Sequence, residues 1–230
     1  MPSERRRERL VEVYREASGC ELCPLSETRA NVVFGAGNAD ADLMFVGEAP
    51  GAEEDRQGLP FVGRAGSLLT ELLEGIGMKR EDVWITNVLR CRPPGNRDPQ
   101  PFEVESCQPY TYRQVDLIEP RVIATLGNFA TKLLTGSRTG ITKVRGTVQV
   151  HEIGGRAVFV MPLLHPAAAL RTPSLVDTLR EDFANLPDLI ARPRPEASAG
   201  APSPAEVAME AVPAAAGAAP DRADQLDLFG

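Results

Sequence analysis

Several things are scarce in this 230-residue chain. No apolar run approaches the roughly 18–20 residues that a membrane-spanning helix needs. The first ten residues are charged and lack the apolar stretch of a secretory signal. No internal repeat is present, which argues against a solenoid. Histidine occurs only at 151 and 165, and cysteine only at 20, 23, 91 and 107. Basic residues are in deficit, 25 Lys plus Arg against 32 Asp plus Glu, for a formal net charge of −7. As an average over the chain, that balance argues against nucleic acid, whose binders usually carry a basic excess. These absences lead us to expect a soluble, cytoplasmic protein.

What is present is a core. Hydrophobic residues make up 43%, and the length suits one domain or two small ones. Residues 3–17 read as a helix. Residues 41–47, 83–89, 121–126 and 157–161 read as buried strands, because each is a short apolar run bounded by turn signals. Amphipathic or helix-like segments fall between them at 65–77, 102–118 and 127–134, and one at 175–190 closes the fold. Polar or Pro/Gly-rich loops fill 48–63 and 92–101, and 146–150 reads as an edge hairpin strand. Strands alternating with helices predict a three-layer α/β/α fold around a central, mostly parallel four-stranded sheet. From about residue 191 alanine and proline dominate. We expect 191–224 to be a disordered linker, because it has too little bulky apolar content to offset its ordering entropy.

The four cysteines suggest metal, since disulfides are rare in the cytoplasm. Cys20 and Cys23 form a C-x2-C pair, and Cys91 and Cys107 lie far along the chain. They can meet if the N-terminal segment folds back on the domain. Zinc and a [4Fe–4S] cluster both accept four thiolates, so the residues alone leave both open.

Four segments sit at the C-terminal ends of predicted strands, where open α/β sheets bind ligands. Gly47-Glu48-Ala49-Pro50-Gly51, with Glu54 beyond it, offers close backbone approach and carboxylates. Asn87 offers a donor and an acceptor, which suits the polar edge of a pyrimidine. Phe61, in Gly58-Leu59-Pro60-Phe61-Val62-Gly63, can stack on a base. His165, in Leu164-His165-Pro166, can donate to a developing anion. Each has an ordinary alternative: a turn, a turn residue, a core aromatic, a structural histidine.

Taken together they are far more specific. GEAPG at 47–51, GLPFVGRAG at 58–66, TNVLRCRPPGNR at 86–97 and HPAAAL at 165–170, with the cysteine order, resemble the family 4 uracil-DNA glycosylases. The resemblance spans roughly residues 6–190. It implies a [4Fe–4S] cluster on Cys20, Cys23, Cys91 and Cys107, and a uracil flipped out of single- or double-stranded DNA. It also implies that Phe61 and Ala49 bind that uracil, Asn87 reads its edge and His165 holds its anion. Glu48 would orient water or stabilise the cationic sugar, with Glu54 and Asn96 supporting catalysis. A related branch links covalently to DNA through a histidine in a basic loop. Here the loop at 92–98 has none, which implies ordinary turnover. No lysine stands near the motifs to form a Schiff base, so the reading is of a monofunctional, monomeric enzyme. A non-catalytic iron–sulfur DNA-binding or redox module and a glycosylase of wider deaminated-base scope are the competing readings.

Local charge departs from the average. From Pro120 to His151 there is no Asp or Glu, but there are Arg121, Lys132, Arg138, Lys143 and Arg145. Arg90, Arg92 and Arg97 form a second basic group. We expect DNA phosphates to meet Arg92, Arg97, Lys143 and Arg145 among these. Finally, Gln225-Leu226-Asp227-Leu228-Phe229 resembles the bacterial sliding-clamp-binding pentapeptide. Leu228 and Phe229 would be its apolar anchors and Gln225 its polar registrar, with Leu226 a further member of the motif.

Overall fold

The computed structural model describes residues 3–196, and the linker and clamp-like readings for residues beyond 196 lie outside them. Nine α-helices, three short 3-10 turns and six strands occur among the described residues. In chain order the helices are α1 (Ser3–Ser18), α2 (Ala52–Gln57), α3 (Arg64–Glu74), α4 (Pro101–Ile118), α5 (Asn128–Thr135), α6 (Ile141–Val144), α7 (Pro166–Arg171), α8 (Leu175–Phe183) and α9 (Leu186–Ala191). The strands are β1 (Ala36–Gly37), β2 (Leu43–Gly47), β3 (Trp84–Asn87), β4 (Val122–Leu126), β5 (Gln149–Ile153) and β6 (Arg156–Leu163). None of the helices is long and apolar enough to cross a membrane.

The sheet order is β1-β3-β2-β4-β6-β5. β3, β2, β4 and β6 are mutually parallel and are the four core strands expected from their apolar runs. A short antiparallel strand borders each edge of these four: β5 beside β6, the edge strand expected near 146–150, and the unexpected two-residue β1 beside β3. Successive side chains on a strand point to opposite faces, and the packing follows that rule. Leu43 and Phe45 of β2, Ile85 of β3, and Val122 and Ala124 of β4 join Leu69, Leu73, Leu179 and Phe183 on one face. Met44, Val46, Trp84 and Ile123 join Leu10, Val13, Val104 and Val115 on the other. The α3/α7/α8/α9 layer therefore covers one face and α1, α4 and α5 the other, as an α/β/α fold requires.

The chain leaves β2 for β3 on one side and reaches β4 on the other. A crevice forms at the carboxyl ends of strands where the order diverges in this way. The helices differ from the sequence reading as well. The loop at 48–63 holds α2, and the expected closing helix at 175–190 is two helices. Pro187 lies in the first turn of α9, where it has no N–H to bond back to the end of α8, so the helix cannot run on through it.

Candidate active site

A cavity of about 500 Å³ opens at that crevice, within the size range of ligand sites. Glu48, Ala49, Glu54, Phe61, Asn87, Asn96, Arg97 and His165 all line it. These residues come from five separate stretches of sequence, and the ends of β2, β3 and β6 bring them together.

Gly47 and Asn87 are register partners at the ends of β2 and β3. Val88 N–H donates to Gly47 O at 2.9 Å and Leu89 N–H to Glu48 O at 3.0 Å, so the pairing continues past the strands. Gly47 has to be glycine. A Cβ there would sit 2.3 Å from Asn87 Oδ1 and 2.7 Å from Phe61 Cζ. Its bare Cα lets the buried Asn87 amide and the Phe61 ring converge.

Phe61 adopts a left-handed backbone, with φ of 52°, which costs a non-glycine residue energy unless its surroundings impose it. Here they do. Glu54 Oε1 accepts from the N–H groups of Val62 and Gly63, both at 3.0 Å. The Arg80 guanidinium donates to Pro60 O. Phe61 O packs so tightly on Gly66 that a Cβ at that position would lie 1.7 Å away.

His165 caps α7. Its Nδ1 accepts from Ala167 N–H at 3.1 Å, which leaves Nε2 to carry the proton of a neutral imidazole. Burial, helped by the Arg171 charge, holds its pKa down to about 4. A neutral donor is therefore present at physiological pH. Glu48 is half-buried, and its pKa is pushed up by burial and then by the Asp98 carboxylate. Asn96 lies at the mouth, its Oδ1 accepting from Arg92 Nε at 2.7 Å.

Sequence reasoning missed Arg171, Asp98 and Asn128, which also line the cavity. Arg171 directly follows the HPAAAL segment, and Asp98 ends the Pro/Gly loop, so adjacency was the available signal. His151 lies on the edge strand β5 and does not line the cavity.

Several basic residues are engaged with acids, two of them from distant parts of the chain. Arg97 forms a two-pronged pair with the buried Glu103, at 2.9 and 2.5 Å. Arg145 pairs with Asp182 at 2.6 Å, and Arg121 with Asp42 at 2.9 Å. Lys132, Arg138 and Lys143 are exposed. Arg90 departs from the surface role expected of it: its side chain is buried and meets no solvent-facing phosphate path.

The four cysteines converge. Cys20, Cys23, Cys91 and Cys107 line one small cavity together with Arg29, Arg90 and Tyr110. An Arg29 guanidinium N–H approaches Cys91 Sγ at 3.5 Å, and Arg90 N–H donates to Cys107 Sγ at 3.3 Å. Burial pushes the bare Cys91 thiol up to about 12 and raises Cys23 and Cys107 too. No trio of His, Cys, Asp or Glu among the described residues is set to hold a single metal ion.

Comparison with known proteins points the same way. The model of the uracil DNA glycosylase superfamily matches residues 34–186. A type-4 uracil-DNA glycosylase of Archaeoglobus fulgidus is 47% identical over 192 residues, covering 82% of this chain and 96% of the relative. One from Thermotoga maritima is 48% identical over 170 residues, 73% of this chain and 87% of the relative. A type-5 uracil-DNA glycosylase of Thermus thermophilus is 36% identical over 120 residues, 46% of this chain and 54% of the relative.

Proposed function

Because this chain belongs to the uracil-DNA glycosylase superfamily, on its type-4 branch, we propose that its cavity hydrolyses the N-glycosidic bond of uracil in DNA. The product is an abasic site, a step of base excision repair. The observation that carries this reading is the convergence of Phe61, Asn87, His165 and Glu48 on one cavity.

A base inside a duplex is out of reach, so the uracil must first be flipped out. Phe61 then stacks on its face, and Ala49 lines the pocket beside it. Asn87, which is buried, reads the polar edge and separates uracil from cytosine by donor and acceptor pattern. As the bond breaks, the sugar gains positive charge and the base becomes an anion. The site must stabilise both at once. His165 suits the anion: as a neutral donor it gives a hydrogen bond from Nε2 without needing to shed a proton. Glu48 serves the sugar side, orienting water or opposing the cationic charge. Glu54 and Asn96 support the loops around them. No lysine lines the cavity among the described residues, which supports simple hydrolysis without strand cleavage. The joint presence of Glu48, Asn87 and His165 weighs against a non-catalytic DNA-binding module.

Cys20, Cys23, Cys91 and Cys107 would hold a [4Fe–4S] cluster. Four thiols around one cavity, with Arg29 and Arg90 beside them, fit an anionic four-thiolate group. When bound, the cluster supplies a staple between the segment after α1, the β3–α4 loop and α4. The exposed Lys132, Arg138 and Lys143, with Arg92 near the mouth, supply phosphate contacts. Arg97 and Arg145 contribute only what their carboxylate partners leave. The pentapeptide Gln225–Phe229 is a tether for a sliding clamp in the cytoplasm. Deleting residues 225–230 abolishes clamp binding and leaves excision from short oligonucleotides intact; equal clamp capture by the truncated protein refutes the tether.

Incubation with single-stranded and G·U-containing DNA, followed by alkali, tests the main reading. Cleavage at uracil is the expected result, and no alkali-labile product rejects it. Iron content and visible absorbance of anaerobically purified protein test the cluster.

A further inference from the structure

Arg90 is the only basic side chain buried among the described residues, with 1% of its surface exposed. It lies between Leu89 and Cys91, in the segment that leaves β3. Its guanidinium donates to the carbonyls of Asn87 and Val88, the latter at 3.0 Å. It also donates to Thr111 Oγ1 at 3.0 Å and Gln114 Oε1 at 2.9 Å, both on α4. Gln114 extends the tie, since its Nε2 donates to Phe34 O at 2.9 Å, an oxygen that also accepts from Thr86 Oγ1 at 2.8 Å. At its other end, Arg90 N–H donates to Cys107 Sγ. None of these side-chain acceptors is a carboxylate.

A buried guanidinium is costly to desolvate, and an apolar side chain could fill the same volume. Packing therefore does not account for it. What an apolar residue cannot do is grip a carbonyl. The carbonyl gripped is that of Asn87, whose amide faces the cavity.

We propose that Arg90 is a positioning residue for uracil recognition, its guanidinium fixing the Asn87 peptide, and so the Asn87 amide, to the wall that carries the four cysteines. The inference rests on the reading of Asn87 and the cysteines given above. An amide discriminates by direction, and a misplacement of about 1 Å in such a site costs on the order of a hundredfold in rate.

The test uses the iron-loaded full chain. Arg90→Lys keeps the charge but loses the planar fork. Its expected signature is parental iron content, a melting temperature lowered by the buried acceptors left unpaired, a kcat for uracil excision lowered about tenfold or more, an unchanged KM for DNA and weaker inhibition by free uracil. Parental kcat and parental uracil inhibition overturn the proposal. So does a raised KM with parental kcat, because that marks a role in holding DNA. If Arg90→Lys fails to fold or loses iron, Thr111→Val takes over. It removes one acceptor of Arg90 and leaves the charge in place. A smaller loss of kcat and of uracil inhibition in that variant supports the proposal, and parental values overturn it. Asn87→Asp is measured alongside. If Asn87→Asp excises uracil at the parental rate, the reading of Asn87 itself fails. If only Arg90→Lys is silent, this inference alone fails.

Discussion

The ring of Phe61 and the imidazole of His165 stack with centroids 5.6 Å apart and planes inclined by 30°. One residue arrives on a strained loop after α2, the other at the end of β6. Their contact makes the apolar wall and the hydrogen-bond donor parts of one surface. Phe61→Leu keeps the apolar volume but removes the flat face. Base–aromatic stacking is worth about 1–3 kcal/mol, so kcat/KM on a uracil oligonucleotide is expected to fall roughly 5- to 150-fold. A loss under twofold contradicts the stacking role.

Two groups set the acid limit. Catalysis as proposed needs Glu48 ionised and His165 neutral. Burial and Asp98 raise Glu48 above its ordinary 4.5, whereas His165 is held down to about 4. As pH falls, Glu48 therefore protonates first, and the acid limb of kcat/KM belongs to it. In Glu48→Gln the remaining activity is lower, and its acid limb moves down toward the His165 value. A pH–rate profile of both proteins decides this; an unmoved limb would falsify the assignment.

His165 also links stability to pH. The unfolded imidazole takes a proton below its ordinary 6.5, while the folded one refuses it until about 4. Between those values the unfolded state binds more protons, so the fold loses stability as pH drops through that window. Melting temperatures of the parent and His165→Gln, measured from pH 7 to 4, are expected to converge as the pH falls.

Glu54 lines the cavity, yet one of its carboxylate oxygens is occupied by two backbone N–H groups. Glu54→Gln retains an oxygen acceptor there and is expected to keep most activity. Glu54→Ala leaves Val62 and Gly63 N–H without that partner, which costs about 1–3 kcal/mol, and is expected to lower both melting temperature and kcat. Equal, severe losses of kcat in the two variants, with melting unchanged, would instead mark the carboxylate as chemically active.

Gly47→Ala tests the convergence directly. The new methyl would overlap Asn87 Oδ1 and Phe61. Overpacking of this kind costs about 1–3 kcal/mol, so the protein is expected to fold, melt lower and lose uracil excision. Parental activity in this variant would mean that the two side chains do not meet over Gly47 in solution.

Much of this architecture can be read from local sequence pattern. β2 and β4 are five-residue runs buried throughout, and their apolar residues announce them. The chemistry-bearing residues stand at the ends of such runs, so their convergence follows once the strands are parallel. What escaped depends on partners distant in sequence or on too little apolar content. α2 is six residues, five of them with charged or amide side chains, and only Asp55 is buried. β1 is two residues long and exists only because β3 offers it an edge. β5 begins at Gln149, later than 146, because Gly146 takes a left-handed turn and donates its N–H to Pro162 O. The stretch from 120 to 151 contains no acid, but Asp42 and Asp182 come to it from outside. Arg90 looked like one more basic residue of an exposed loop; its burial depends on α4, whose Thr111 and Gln114 supply acceptors.

The packing of α1 against α4 also has a consequence for biosynthesis. Glu16 of α1 accepts from Arg113 of α4 at 2.9 Å, and Cys20 and Cys23 share their cavity with Cys107. The ribosome delivers α1 first and its seat only after the first three of the six strands have been made. At about 5–20 residues per second, the N-terminal helix and its two thiols wait several seconds for the surface they will occupy. The half-made chain must keep those thiols reduced and unclaimed until α4 emerges.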